Sequence, residues 1–292
     1  MRRAAWALLL AGCGGASHGS AVSSPAASAT AARQPPADVS PATLLARADD
    51  EADVLLRLSV AREHPMGPRL EPFVLAWPGW GATIRRVSPH PLAELDWIDI
   101  VGPRDTAKER MATRTRGDDG AVDARLASSG DGSLRVVTRG QPHLVTATPP
   151  DGAAVLAATL GRTRVVDPVV DADEGLRAQM PHPHVFFKQI PEEVRSATLH
   201  VFARPGGAAE ARLALTCDNM ATAVRVAAEM REEADQANGM VVKMLTHDLL
   251  GGLAVEVEGS DARLRLPASR EQLDALATLA SAMLPPEATP AP

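Results

Sequence analysis

Tyrosine is absent from this 292-residue chain, phenylalanine and tryptophan number four each, and there are only two cysteines. Two thiols are too few for a disulfide scaffold or a cysteine-based zinc site. No run of about 20 apolar residues is present to span a bilayer. The 30 basic and 36 acidic residues leave a net charge of −6, without the basic surplus of a general nucleic-acid binder, so no nucleic-acid partner is expected. There is no Walker loop, no Gly-rich dinucleotide turn after a strand, no HExxH, no SxxK and no CxxC, and no cofactor is expected. What the chain has in excess is alanine, with arginine supplying nearly all of its positive charge. That bias reflects GC-rich coding more than function. The 45% hydrophobic content is enough to build cores for one or two domains.

The first residues carry the most specific signal. Met1-Arg2-Arg3 is positively charged, Ala4 to Leu10 is apolar, and Leu10-Ala11-Gly12-Cys13 follows at once. Charge, a short apolar core and small residues before a cut site mark an export signal. With Cys13 directly after the small pair, the segment resembles the lipobox of bacterial lipoproteins. The resemblance implies a thioether-linked diacylglycerol on Cys13, cleavage before it, and acylation of the new amine. Residues 1–12 are then a signal peptide, and the chain is held to the membrane by its N-terminal acyl chains. Two or more chains make such attachment stable, at about 0.8 kcal/mol per buried CH₂. Gly14, in place of Asp, implies sorting to the outer membrane in a Gram-negative host.

Residues 13–41 combine small residues and prolines with almost no large apolar side chains, and are expected to form a disordered tether. Its Gly15-Ala16-Ser17-His18-Gly19 matches a hydrolase string, but that motif works only on a strained strand-to-helix elbow.

Beyond the tether the pattern predicts an α+β fold of antiparallel sheets with flanking helices. An N-terminal α+β region is expected over 42–165, a linker or boundary over 166–190, a C-terminal ββα(α)ββα domain over 191–285, and a disordered tail over 286–292. In the first region Val54, Leu56, Leu58 and Val60 alternate as a strand, and 69–77 reads as a helix. Residues 97–101, 111–116, 134–138 and 144–147 read as strands, and 151–160 as a helix. In the later region Leu199, Val201 and Ala203 alternate, as do Leu213, Leu215 and Cys217. Asp218 and Asn219 offer caps for a helix to Ala237, with Met220, Val224, Ala227 and Ala234 as its stripe. A second helix runs from Met240 to Leu250. A two-residue Gly259-Ser260 turn pairs Glu258 with Asp261, Val257 with Ala262, Glu256 with Arg263, Val255 with Leu264 and Leu253 with Leu266. Ser269 and Gln272 form a capping box for the last helix. Strands first and a helix last in both regions is the order two related halves would show, although no residue-level repeat accompanies it.

The segments Ala52–Leu58, Trp77–Trp80 and Leu92–Gly102 are similar to uncharacterised lipoproteins of myxobacterium-like, GC-rich bacteria. The resemblance covers about half the chain and implies an envelope location without an activity.

Candidate chemistry is sparse. His182 and His184 are two apart and suit one metal ion, with Asp171 or Asp173 as oxygen ligands. Prolines on both sides of His182 favour an irregular loop instead. His247-Asp248 reads as a helix end, and Asp49-Asp50-Glu51 with Asp53 as a solvated face. Trp77, Trp80 and Trp97 fall within 21 residues; core packing is favoured over an aromatic contact surface. With no catalytic set evident, the expected function is a non-catalytic binding or scaffold protein of the envelope, with an unknown envelope protein or ligand as partner. The alternatives are a hydrolase whose distant His and Asp residues converge, and a carrier of lipid or small ligand on an apolar sheet face. Cys217 is expected to pack as a small hydrophobe.

Overall fold

The computed structural model describes residues 37–40, 43, 45, 52–77, 80–102, 110–116, 121, 124–125, 134–136, 143–147, 163–168, 170–185, 187, 190–282 and 284. The signal, the lipobox at Leu10 to Cys13, nearly all of the tether, the 151–160 helix and the 286–292 tail lie outside these residues.

In chain order the elements are β1 (Ala37–Val39), β2 (Ala52–Leu56), α1 (Leu58–Glu63), α2 (Gly67–Leu75), α3 (Gly81–Val87), α4 (Pro91–Glu94), β3 (Leu95–Gly102) and β4 (Arg110–Thr115). Next come β5 (Leu134–Val136), β6 (His143–Ala147), β7 (Thr163–Val165), β8 (Glu174–Pro181), β9 (Val194–Arg204) and β10 (Ala208–Cys217). The chain continues with α5 (Met220–Ala237), α6 (Met240–Thr246), β11 (Ala254–Glu258), β12 (Asp261–Ala268) and α7 (Arg270–Ser281). The fold is α+β. One antiparallel sheet runs in the order β11-β12-β10-β9-β8-β2-β3-β4-β6-β5, and β1 pairs with β7 in a small parallel sheet.

The two α+β regions are joined in that one sheet. β8 falls inside the stretch expected as a boundary, yet pairs with β2 on one side and β9 on the other. Its alternating Leu176, Ala178 and Met180 lie among the Asp and Pro residues that suggested a linker. Helices pack on one face of the sheet in two groups. Leu58, Val74, Trp80, Ile84 and Val87 from α1–α3 and the preceding turn pack against Leu95, Ile98, Ile100 and Met111. Farther along, Ala223, Val226 and Ala227 of α5 pack against Ala197, Leu215, Cys217, Val255 and Ala262. Cys217 is 4% exposed and takes the apolar role expected of it.

Local signals set most boundaries. The Asn219 side chain accepts the Thr222 N–H and caps α5, and Ser269 and Gln272 form a full capping box on α7. The β11–β12 hairpin has the expected pairing from Val255–Leu264 to Glu258–Asp261. Gly259 takes a left-handed φ of +61° in its turn.

Three expectations need correction. Leu58 to Val60 is helical: the strand stops at Leu56, and Leu58 and Ala61, one turn apart, are the buried residues of α1. Of the expected α5 stripe Ala227 is buried, but its buried companions are Ala223 and Val226, while Met220 and Val224 are 62% and 50% exposed. Both stripes have helical spacing, and the sheet takes the one whose alanines allow close approach. The helix begun at Met240 ends at Thr246, where His247 and Asp248 adopt left-handed φ of 49° and 56° before a 3₁₀ turn.

Candidate functional site

The central strands bring two carboxyls together. Leu55 lies opposite Asp99, and Asp53 lies opposite Val101, so Asp53 and Asp99 are diagonal neighbours on one face of the β2–β3 pair. Asp53, expected on a solvated surface, is therefore half-buried against a second acid. Asp99 is 1% exposed. Burial, reinforced by the charge of Asp53 and a hydrogen bond to it, pushes the Asp99 carboxyl up to about 9, and Arg177 opposes this only in part. Asp99 is accordingly protonated at neutral pH. Its Oδ1 has no hydrogen-bond partner. Leu45, Leu55, Trp97, Val101 and Ala112 form the apolar layer on this face. The arrangement holds a proton away from water, and no described hydroxyl or thiol nucleophile is bonded to it.

The tryptophans are packing residues. Trp80 is 7% exposed in the helix-side core, and Trp97 is 3% exposed in the layer over the opposite face. Trp77 packs partly buried beside Trp80's cluster. The Trp97 Nε1–H donates to Asp167 Oδ1 at 2.9 Å, and the Arg114 guanidinium lies 5.8 Å from the Trp97 ring centre. They offer no shared aromatic platform.

His182 and His184 sit at the end of β8 and in the following 3₁₀ turn. Their rings are edge to face, with centroids 6.0 Å apart. Asp171 turns its backbone carbonyl to Arg57, and Asp173 pairs with Arg204. The candidate ligand set is not assembled, and among the described residues no group of three His, Cys, Asp or Glu is placed to hold a metal. His247 caps α6, and Asp248 Oδ1 accepts from Asn238 Nδ2 at 3.0 Å.

A charged network that sequence spacing did not reveal lies on the sheet face turned away from α5. Glu210, whose side chain is 5% exposed, accepts from Arg212 Nε at 2.5 Å, Arg265 Nη2 at 2.6 Å and Arg204 Nη2 at 3.3 Å. Hydrogen bonds from these guanidiniums, first Arg265, hold the Glu210 carboxyl down at about 2. Glu174 pairs with His200 Nδ1 at 2.7 Å. Phe202 is buried beneath this network, 5.0 Å from the Arg204 guanidinium and 4.7 Å from that of Arg212, with His200 stacked on it.

The helical side presents a different surface. In α6, Met240, Val241, Met244 and Leu245 are 80%, 69%, 75% and 50% exposed. These positions, i, i+1, i+4 and i+5, share one helix face. Thr246 is buried on the other side, where α6 meets α7.

No family model and no curated protein matches the chain. Solved structures do. Crystal forms I, III and IV of a protein titled TP0453 are 9%, 10% and 11% identical to it, with TM-scores of 0.48, 0.42 and 0.45. Each alignment covers 82% of this chain, and 98%, 98% and 95% of the respective TP0453 chains. These values carry no functional argument.

Proposed function

We propose that this chain is a lipid-anchored protein of the cell envelope that binds an apolar partner without catalysis. The observation that carries the binding reading is the outward face of α6, where four large apolar side chains stand together at half or greater exposure. Single exposed hydrophobics are ordinary, but a contiguous group on one short helix marks an interaction surface. The charged clusters found here are saturated ion pairs or a shielded diacid, which favours binding over hydrolysis. The anchor rests on Arg2-Arg3, the apolar run and the Leu10–Cys13 lipobox pattern. Gly14 favours the outer membrane if the host is Gram-negative.

The carrier alternative draws on the sheet's helical face, where Leu199, Val201, Leu213 and Leu266 are only half-buried.

Two measurements test the proposal separately. Cells fed a palmitate analogue should label the wild-type chain and not Cys13→Ala; label persisting in the variant overturns the anchor. A photo-crosslinking amino acid at Val241 should give a discrete adduct in cells, whereas one at Glu233 on α5 should not. Equal yields at the two sites would sink the binding surface.

A further inference from the structure

The described methionines fall into two groups. Met66, Met111 and Met180 are buried, and Met230 packs partly buried beside the α5 cluster. Met220, Met240 and Met244 are instead 62%, 80% and 75% exposed. Met240 and Met244 stand one helical turn apart on the outward face of α6, the spacing at which side chains are direct neighbours. Neither belongs to any of the three buried clusters. Val241 and Leu245 complete that face, and Lys243 is the one charged residue of the helix. α6 rests on α7 and on the 3₁₀ turn that follows it, which leaves both thioethers open to solvent.

A thioether is as apolar as the side chains around it, but unlike Leu or Val it reacts with peroxides. Its sulfur lone pair attacks one peroxide oxygen, and the O–O bond breaks. The sulfur, oxidised by two electrons, keeps that oxygen as a sulfoxide, and hydrogen peroxide is reduced to water. The product is polar and chiral. Sulfoxide reductases restore the thioether, oxidising two thiols to a disulfide and releasing water. No described thiol competes for the oxidant: Cys217 is buried, and burial pushes its thiol above its ordinary range, away from the reactive thiolate.

We propose that Met240 and Met244 form a reversible oxidation site that switches off the apolar face of α6. The inference rests on the α6 binding reading given above. Two of the four large side chains on that face become polar together, and the partner loses its apolar complement. The change stays at the surface, because neither sulfur is part of a core, so the fold keeps its stability. Met220 is also open to oxidant, but it starts α5, roughly 25 Å along that helix from the end that leads to α6. It serves as the internal control.

The test uses cells carrying the photo-crosslinking residue at Val241, given hydrogen peroxide before irradiation. Peptide mass spectrometry should find sulfoxide at Met240 and Met244 and none at Met66, Met111 or Met180, and sulfoxide reductases with a thiol should remove it. The Val241 adduct should fall about tenfold or more when both sulfoxides are present. Met240→Leu with Met244→Leu keeps the face apolar, so its adduct should persist through the oxidant, whereas Met220→Leu should respond as the parent does. An undiminished adduct in the oxidised parent overturns the oxidation site and leaves the binding reading intact. Equal loss of the adduct in the double Leu variant does the same, by placing the damage in the partner. Absence of the adduct before oxidant overturns both. Urea unfolding of purified Met220→Leu carrying the two sulfoxides should match that of the reduced chain, and loss of the folded state would overturn the proposal in favour of unfolding.

Discussion

Replacing Asp99 by Asn should stabilise the protein at neutral pH, and the gain should grow with pH. Asp99 is nearly inaccessible, and its carboxyl is raised from 3.8 to about 9, chiefly by burial and secondly by Asp53. A raised carboxyl means that the folded state keeps a proton which the unfolded chain releases above its ordinary value. The contribution to stability is thus fully present below about 3.8 and declines as pH rises towards about 9. The decline is about 1.4 kcal/mol per pH unit, so holding the proton costs up to about 4 kcal/mol at pH 7. Asn keeps the shape and an N–H donor for Asp53 without a titrating proton. Urea unfolding, followed by tryptophan fluorescence at pH 5, 6, 7 and 8, gives the stability difference between Asp99→Asn and the parent. That difference should widen by about 4 kcal/mol between pH 5 and pH 8. A gap that stays constant within about 0.5 kcal/mol over this range would refute the buried, proton-holding pair.

The Glu210 carboxyl lies below its ordinary value, so its stabilisation is present above about 4.5 and is lost as pH falls towards about 2. Glu210→Gln should therefore cost about 1–3 kcal/mol at pH 7 and little at pH 2, and a melting temperature unchanged at pH 7 would contradict the three-arginine network. A methyl group at Gly81 would overlap the Leu75 carbonyl oxygen. Gly81→Ala should lose about 2 kcal/mol or more in urea unfolding, and a neutral result would mean that the turn before α3 is looser than described. In a Cys13→Ala background the buried Cys217 thiol, which burial pushes above its ordinary range, should react with a disulfide reagent only after denaturant is added. Rapid labelling of the native protein would show that the strand opens.

Much of the C-terminal architecture was legible because local chemistry and tertiary packing demand the same residues there. A Gly-Ser turn between alternating segments admits one register without inverting the side chains, and β11–β12 adopts it. Ser269 with Gln272 defines a helix start whatever it later packs against. The failures fall where two readings share one spacing. Met220 and Val224 stand one turn apart, as do Ala223 and Ala227, and only the sheet beneath α5 decides between them. Val54, Leu56, Leu58 and Val60 alternate without interruption, but pairing with β3 and β8 ends at Leu56. The Asp53–Asp99 and Glu210–Arg265 pairs were invisible for a simpler reason. Their members come from separate strands tens of positions apart, and strand order cannot be read from composition or periodicity.

The position of β2 bears on how the chain acquires its structure. It is the earliest strand of the large sheet, yet it lies near the middle, hydrogen-bonded to β3 and β8. β3 follows within about 40 residues, whereas β8 follows only after about 120, and synthesis at about 5–20 residues per second separates the two by several seconds. During that interval β2 presents an unsatisfied edge, and Asp53 and Asp99 can meet before Arg177 exists to moderate them. Until residue 181 is available β2 can pair with β3 alone, so a chain cut short before β8 should leave that edge open to pairing with another chain.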